Sequence, residues 1–301
     1  MIIAHKTLFA IKECFAKDGG ALYRHHLRYA MSELSDAYSQ NTDPFRSHLG
    51  ASQIGEVCDR QLYYNFRWAT LELHSDQQLR LFNRGHLEEG RLVALLRAIG
   101  VNVFQFDANG KQYRLSDCFG HFGGSGDGFC TNLPDAPMAN VLLEFKTHND
   151  KSFTKLIDCG VELAKPVHYS QIQTYHSEWK TDVALYIGVN KNNDAIHCEL
   201  IPPNPIVGTQ MRARAYEIIF AQSAPNRAAK DPSSFICKFC KHKPVCFANA
   251  APHKTCRTCQ YSQPIDGGKW HCHHPQINQP IPTAIQFTGC GNYIVSRAIY
   301  D

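Results

Sequence analysis

"VLLEFKTHND", residues 141–150, decides how this chain is read. It begins as the apolar run of a buried strand, yet Glu144 and Lys146 stand inside that run. Side chains alternate faces along a strand, so residues two apart point the same way. A carboxylate and an ammonium therefore share one face of what should be an interior element.

Just upstream, "GGSGDG" (123–128) lacks the Lys-Ser/Thr pair and the following helix of a phosphate cradle. Read as strand, it sets Asp127 between two glycines, which lets another backbone or a ligand come close. Asp127 is expected to end one strand, and Glu144 and Lys146 to occupy the next. Two hard oxygen ligands on adjacent strands suit magnesium or manganese, which keeps several waters and leaves room for a phosphate oxygen. A lysine beside the ion can orient or deprotonate a water, or neutralise charge developing on phosphorus. The competing reading is a strand-borne salt bridge, which gives little net stability.

"LRLFNRGHLEEGRLVALLRAIG" (79–100) is expected to be a helix ending at Gly100, with Phe82, Glu89, Val93 and Leu96 on one face. A glutamate on that apolar face costs desolvation unless it is ligated or paired. Glu88, flanked by Leu81, Leu92 and Leu95, is the rival. Gly85 is expected to remove a side chain where the helix presses on a sheet. "ASQIGEVCDRQLYYNFRWA" (51–69) is expected to be a helix entered at Ser52. "VNVFQFD", "KQYRL", "HFGGSGDGFC" and "VLLEFKT" form four successive strands by their alternation and turn residues. A helix over about 166–180, the strands "VALYIGV" and "AIHCELI" joined by "NKNND", and a helix near 206–222 follow.

"RGHLEE", "GSGDG", "EFK" and "QIQTY" come in the order found in the PD-(D/E)XK nuclease superfamily, and the chain resembles its RecB-like exonuclease branch over residues 52 to 191. The resemblance implies an α/β, restriction-endonuclease-like core with a central mixed β-sheet flanked by helices. It implies that Glu89, Asp127 and Glu144, with the backbone carbonyl of Phe145, bind Mg2+ or Mn2+. Lys146 would assist the attacking water, and Gln171 with Tyr175 would touch DNA near the scissile phosphate. Asp127 follows Gly126 rather than the proline of the family's name.

Thirteen cysteines in 301 residues, an odd count without a secretory signal, point to thiol ligands in a reducing, cytoplasmic setting rather than to disulfides. "CKFCKHKPVC" offers Cys237, Cys240 and Cys246, one ligand short of four. RecB-like nucleases with an iron–sulfur staple, of the AddB and CRISPR spacer-acquisition types, resemble this arrangement and place a fourth cysteine before the core. That residue is Cys58 here. The four suit a [4Fe–4S] cluster, and zinc fits the same thiolates. Farther on, Cys256 and Cys259 form a knuckle with Cys272 and Cys290 as its completing pair, a zinc-ribbon-like pattern. One of His271, His273 and His274 in a Cys3His site is the alternative. Cys14, Cys118, Cys130, Cys159 and Cys198 are scattered and expected to be packing residues.

The expected organisation is an N-terminal helical region (1–50), the nuclease core (51–224), an iron–sulfur segment (225–250) and a zinc-ribbon-like tail (251–301). Arg60, Tyr63, Tyr64, Arg67 and Trp68 interleave charge with aromatics, which suits either a DNA-stacking surface or an amphipathic helix packing its rings. No apolar run approaches about 18 residues, so no membrane span is expected. The net charge of +4 permits a polyanionic partner without demanding one. The reading is a metal-dependent DNA nuclease, exonuclease before structure-selective endonuclease, acting on single strands or duplex ends. Its alternative from another class is an inactive DNA-binding module with structural metal sites. No helicase motif is present, so an unwinding or recombination partner would be a separate chain, and the oligomeric state stays open.

Overall fold

Residues 141–148 form the strand that their apolar run predicts, and the sheet is built around it. The computed structural model describes residues 1–32, 37–38 and 44–300. The chain forms two units, one of Met1–Thr42, His74–Leu115 and Ser125–Thr209, the other of Asp43–Leu73, Ser116–Gly124 and Gln210–Asp301.

The first unit contains strand β1 (Ile2–Ile3), helices α1 (His5–Asp18), α2 (Ala21–Ser32) and α3 (Asp76–Ala98), and strands β2 (Asn102–Phe104), β3 (Gly128–Thr131) and β4 (Val141–His148). Helices α4 (Asp150–Ala164) and α5 (Pro166–Trp179) and strands β5 (Val183–Asn190) and β6 (Ile196–Ile201) complete it. The six strands lie in the order β1-β6-β5-β4-β3-β2. Only β4 and β5 run parallel, with Glu144 opposite Tyr186, so the sheet is mixed. A parallel pair needs a crossover, which α4 and α5 supply. Val141, Leu143 and Phe145 of β4 join Leu185, Ile187 and Val189 of β5 in a core with residues 92–96 of α3. The even residues of β4 face away from that core, as period two requires.

Helix α3 starts earlier than periodicity suggests because Ser75 and Gln78 form a reciprocal capping box, and it stops before Gly100 at φ +85°. Helix α4 was not expected. Its signal was Asn149, whose side chain accepts from Ser152 N at 2.9 Å. The N-terminal helices are not a separate region, because Ile11 and Ala30 belong to the same core as α3 and β4. Part of the expected segment, residues 33–36 and 39–43, lies outside the described residues.

"HFGGSGDGFC" is two strands rather than one. Phe122–Ser125 pairs with Leu49–Gly50 in another sheet, and β3 begins only at Gly128. Gly128 has φ +136°, and a Cβ there would stand 2.6 Å from the Phe104 carbonyl, so the backbone turns where only glycine fits. Asp127 thus precedes a strand instead of ending one.

In the second unit, 51–69 is a short 3-10 turn, Ala51–Gln53, followed by a helix, Asp59–Phe66. Cys58 is extended and interrupts the expected single helix. Ser262–Ile265, Lys269–Cys272 and Gln279–Ile281 form an antiparallel three-stranded sheet. The expected tail is not an appendage, since its residues complete this unit's interior. Arg257 is buried with its guanidinium 3.7 Å from the Trp68 ring centroid and 4.8 Å from that of Trp270, and it donates to the carbonyls of Ser47 and Phe66. Tyr64 donates to Ile299 O at 2.8 Å, and Arg60 to Tyr300 O at 2.7 Å. Among the described residues no helix is long and apolar enough to cross a membrane.

Candidate functional site

Glu144 is fully buried, on the face of β4 turned away from the core. Lys146 lies two residues on and pairs with its Oε1. From α5, Gln171 Nε2 donates to Glu144 Oε2 at 3.2 Å. Asp127 Oδ2 accepts from Phe145 N at 2.6 Å, which fixes its carboxylate beside β4. At Gly126 a Cβ would stand 2.9 Å from the Trp179 ring, so this loop too is tight against α5.

Helix α3 decides between its two glutamates. Glu88 pairs with Arg91 Nη1 at 2.9 Å. Glu89 instead interacts with Asp127, Lys146 and Glu144, with Gln105 beside it. Glu89, Asp127 and Lys146 line one open cleft of about 490 Å3. Gly85 lines the same cleft, and a Cβ there would meet nothing, so it does not ease helix–sheet contact as expected.

The electrostatics are those of crowded anions. Burial and the neighbouring Asp127 push Glu89 up to about 8. Burial lifts Glu144 to about 7 against the pull of Lys146, with Asp127 adding to the rise. Asp127 is raised by burial although Lys146 and the Phe145 N–H favour its charge. Burial alone would lower Lys146, but Glu144 and Asp127 outweigh it and raise the ammonium's pKa. With all three carboxylates ionised, the one ammonium would leave two negative charges uncompensated, which is why their protons are held so tightly.

Gln171 and Tyr175 do not reach outward. Both are buried, and Tyr175 donates to Ser125 O at 2.8 Å, holding the segment that leads to Asp127. Their structural work is to position the carboxylates. The second reading of the "CDRQLYYNFRWA" stretch also holds, because its rings and charges pack inward. Arg60, Tyr63 and Tyr64 are buried, and Arg60 Nε donates to the Tyr64 hydroxyl at 2.8 Å. Arg67 stacks 5.3 Å from the Tyr63 ring and 5.1 Å from that of Trp270.

Both cysteine sets converge within the second unit. Cys58, Cys237, Cys240 and Cys246 line a cavity of about 20 Å3, and Cys256, Cys259, Cys272 and Cys290 line another of about 20 Å3. Burial pushes the Cys256 thiol up to about 11, with Cys290, Cys259 and Cys272 adding to the rise. His274, rather than His271 or His273, lines the second cavity. All thirteen thiols are free. Among the described residues, no group of three or more His, Cys, Asp or Glu side chains is arranged to hold a metal ion as it stands.

Sequence reading missed His148, His168 and Tyr186. His148 was within reach of it, being two residues beyond Lys146 on the same strand face. His168 and Tyr186 come from α5 and β5 and share no local pattern with it.

No protein-family model and no curated protein matches the chain. Among solved structures it is similar to one described as SSO0001, at 15% identity and TM-score 0.40, over 76% of this chain and 96% of that one. It is also similar to an alkaline exonuclease (LHK-Exo) from Laribacter hongkongensis, at 18% identity and TM-score 0.41, over 57% of this chain and 86% of that one. The same exonuclease in complex with dAMP aligns at 14% identity and TM-score 0.40, with the same coverage. Likenesses of this size assign no residue a role.

Proposed function

We propose that this chain is a divalent-metal-dependent DNA nuclease that hydrolyses phosphodiester bonds. One observation carries the reading: Glu89 of α3 and Asp127 of the loop before β3 line an open cleft with Lys146, and the buried Glu144 of β4 interacts with all three, so that two negative charges would be uncompensated once the carboxylates ionise. A buried anionic excess of that size is costly, and a dication offsets it. Glu89, Asp127 and Glu144, with the Phe145 carbonyl, would hold Mg2+ or Mn2+. When bound, such an ion supplies Lewis acidity toward a phosphate oxygen and lowers the pKa of a water.

The chain's own residues do the rest. The Lys146 ammonium pairs with Glu144, and from there it would orient a water or neutralise charge developing on phosphorus. Gln171 holds Glu144 in place, and the Phe145 N–H holds Asp127.

In the second unit, Cys58, Cys237, Cys240 and Cys246 would hold a [4Fe–4S] cluster or zinc, and Cys256, Cys259, Cys272 and Cys290 a structural zinc. Support comes from each set of four thiols lining one small cavity. Thiolate ligands of this kind would suit a reducing compartment. Exonuclease action rests on the family resemblance.

Digestion of linear, circular and flap DNA with Mg2+, Mn2+ or chelator tests the proposal. Metal-dependent cleavage that Asp127→Asn and Glu144→Gln abolish supports it. A folded wild-type protein that cuts no DNA under any of these conditions, or variants that cut at the wild-type rate, would overturn it. Cleavage of linear DNA alone identifies an exonuclease.

A further inference from the structure

The wall of the cleft beyond the carboxylates is a chain of hydrogen bonds whose direction one residue sets. Lys165, between α4 and α5, places its ammonium on Ser152 Oγ. An ammonium only donates, so Ser152 accepts there and its own hydrogen is left for His148 Nδ1, 3.1 Å away. Neutral His148 then carries its hydrogen on Nε2 and donates to the Tyr186 hydroxyl at 2.8 Å. The Tyr186 hydrogen goes on to His168 Nδ1 at 2.9 Å. His168 is left with an Nε2–H that has no protein acceptor among the described residues. Burial keeps both rings neutral, pushing His148 down to about 4 and His168 to about 3.

His148, Ser152, Lys165 and His168 line the same cleft as Glu89, Asp127 and Lys146. No carboxylate among the described residues pairs with Lys165. Satisfying the buried Tyr186 hydroxyl would need only one histidine. The second ring and an ammonium without a carboxylate leave two donors for an anion that the protein does not supply.

We propose that Lys165 and His168 form a second phosphate subsite, which holds another phosphate of the same DNA strand while the carboxylates engage the scissile one. This rests on the nuclease reading of the cleft. The second phosphate is either an internal phosphodiester or a terminal phosphate, since both offer the same oxygens. Ser152, His148 and Tyr186 are positioning residues that fix the two donors.

The test measures KM and kcat of the full chain on short oligothymidylates with hydroxyl or phosphate ends, over a range of salt. Lys165→Met should raise KM about tenfold, leave kcat within about twofold, and reduce the salt slope of log KM by about 0.7. His168→Ala should raise KM, and His168→Gln, which returns an N–H near the Nε2 position, should restore it. Tyr186→Phe should match His168→Ala while the protein stays folded. An effect confined to phosphate-ended strands identifies a terminal phosphate, and an equal effect on both identifies an internal one.

Unchanged KM and salt slope in Lys165→Met, or a loss confined to kcat, overturns the subsite. If the wild type cuts nothing, the nuclease reading fails instead, and fluorescence anisotropy of the same strands in Ca2+ decides the subsite separately. Weaker binding by Lys165→Met with a reduced salt slope then sustains it, and equal binding overturns it.

Discussion

The acidic cleft and the cysteine cavities both gather ligand-type side chains from distant parts of the chain, but they differ in access. The cleft is open, about 490 Å3, and lined by charges of both signs. Each cysteine cavity is about 20 Å3, close to the room one water needs, with four thiols among its lining residues. The first has room for a substrate phosphate, and the others have room for little more than one atom-sized guest. A closed four-thiolate site has no position for a reacting water, whereas an open carboxylate site keeps several. The first arrangement is suited to turnover, and the second to tying loops together.

Substitutions should separate the two. Asp127→Asn is expected to lower metal-dependent cleavage about a thousandfold while circular dichroism and melting stay near wild type. Collapse of the fold in that variant would erase the distinction. Cys237→Ser or Cys256→Ser should do the opposite, losing bound metal by elemental analysis and lowering the melting temperature by more than about 10 °C. Full metal content and wild-type melting in both would remove the cavities from the structural class. Brown, iron-containing protein would assign the Cys58 set to a cluster, and zinc alone would assign it to an ion.

The acidic cleft should also leave a pH signature on stability that the thiols do not. Glu89 and Glu144 are raised to about 8 and about 7 from the ordinary 4.5, so the folded state holds these protons more tightly than the unfolded chain does. That contribution is fully present below the ordinary value and is lost as pH rises through 7 and 8. In chelator, the stability gap between wild type and a Glu89→Gln/Glu144→Gln variant should therefore widen against the wild type from about pH 5 to pH 8. Added Mg2+ or Mn2+ should close it. Thermal melts across that range settle the sign, and a gap that narrows toward alkaline pH contradicts the charge excess.

The smallest contrast lies within α3. Glu89→Gln should cost about a hundredfold in cleavage, and Glu88→Gln, which breaks only the pair with Arg91, less than about threefold. The reverse order would exchange the two glutamates.

Much of the cleft was legible in residues 141–150, because period two alone puts Glu144 and Lys146 on one face of an apolar strand. Helix α3 and the strands β5 and β6 followed from periodicity, and both cysteine sets from spacing and family resemblance. Tertiary structure decided what local pattern could not rank. Glu88 and Glu89 are adjacent on one helix and both line the cleft, and only the placement of Arg91 and Asp127 assigns one to an ion pair and the other to the carboxylate cluster. Arg60, Tyr63 and Tyr64 have the composition of a DNA-stacking surface. They are interior because the carbonyls of Ile299 and Tyr300, more than two hundred residues away, accept from Tyr64 and Arg60. The Lys165–Ser152–His148–Tyr186–His168 chain joins four elements, and no spacing in the sequence encodes it. A hydrogen bond depends on distance in space, and only the sheet's register and the crossover through α4 and α5 bring those atoms together.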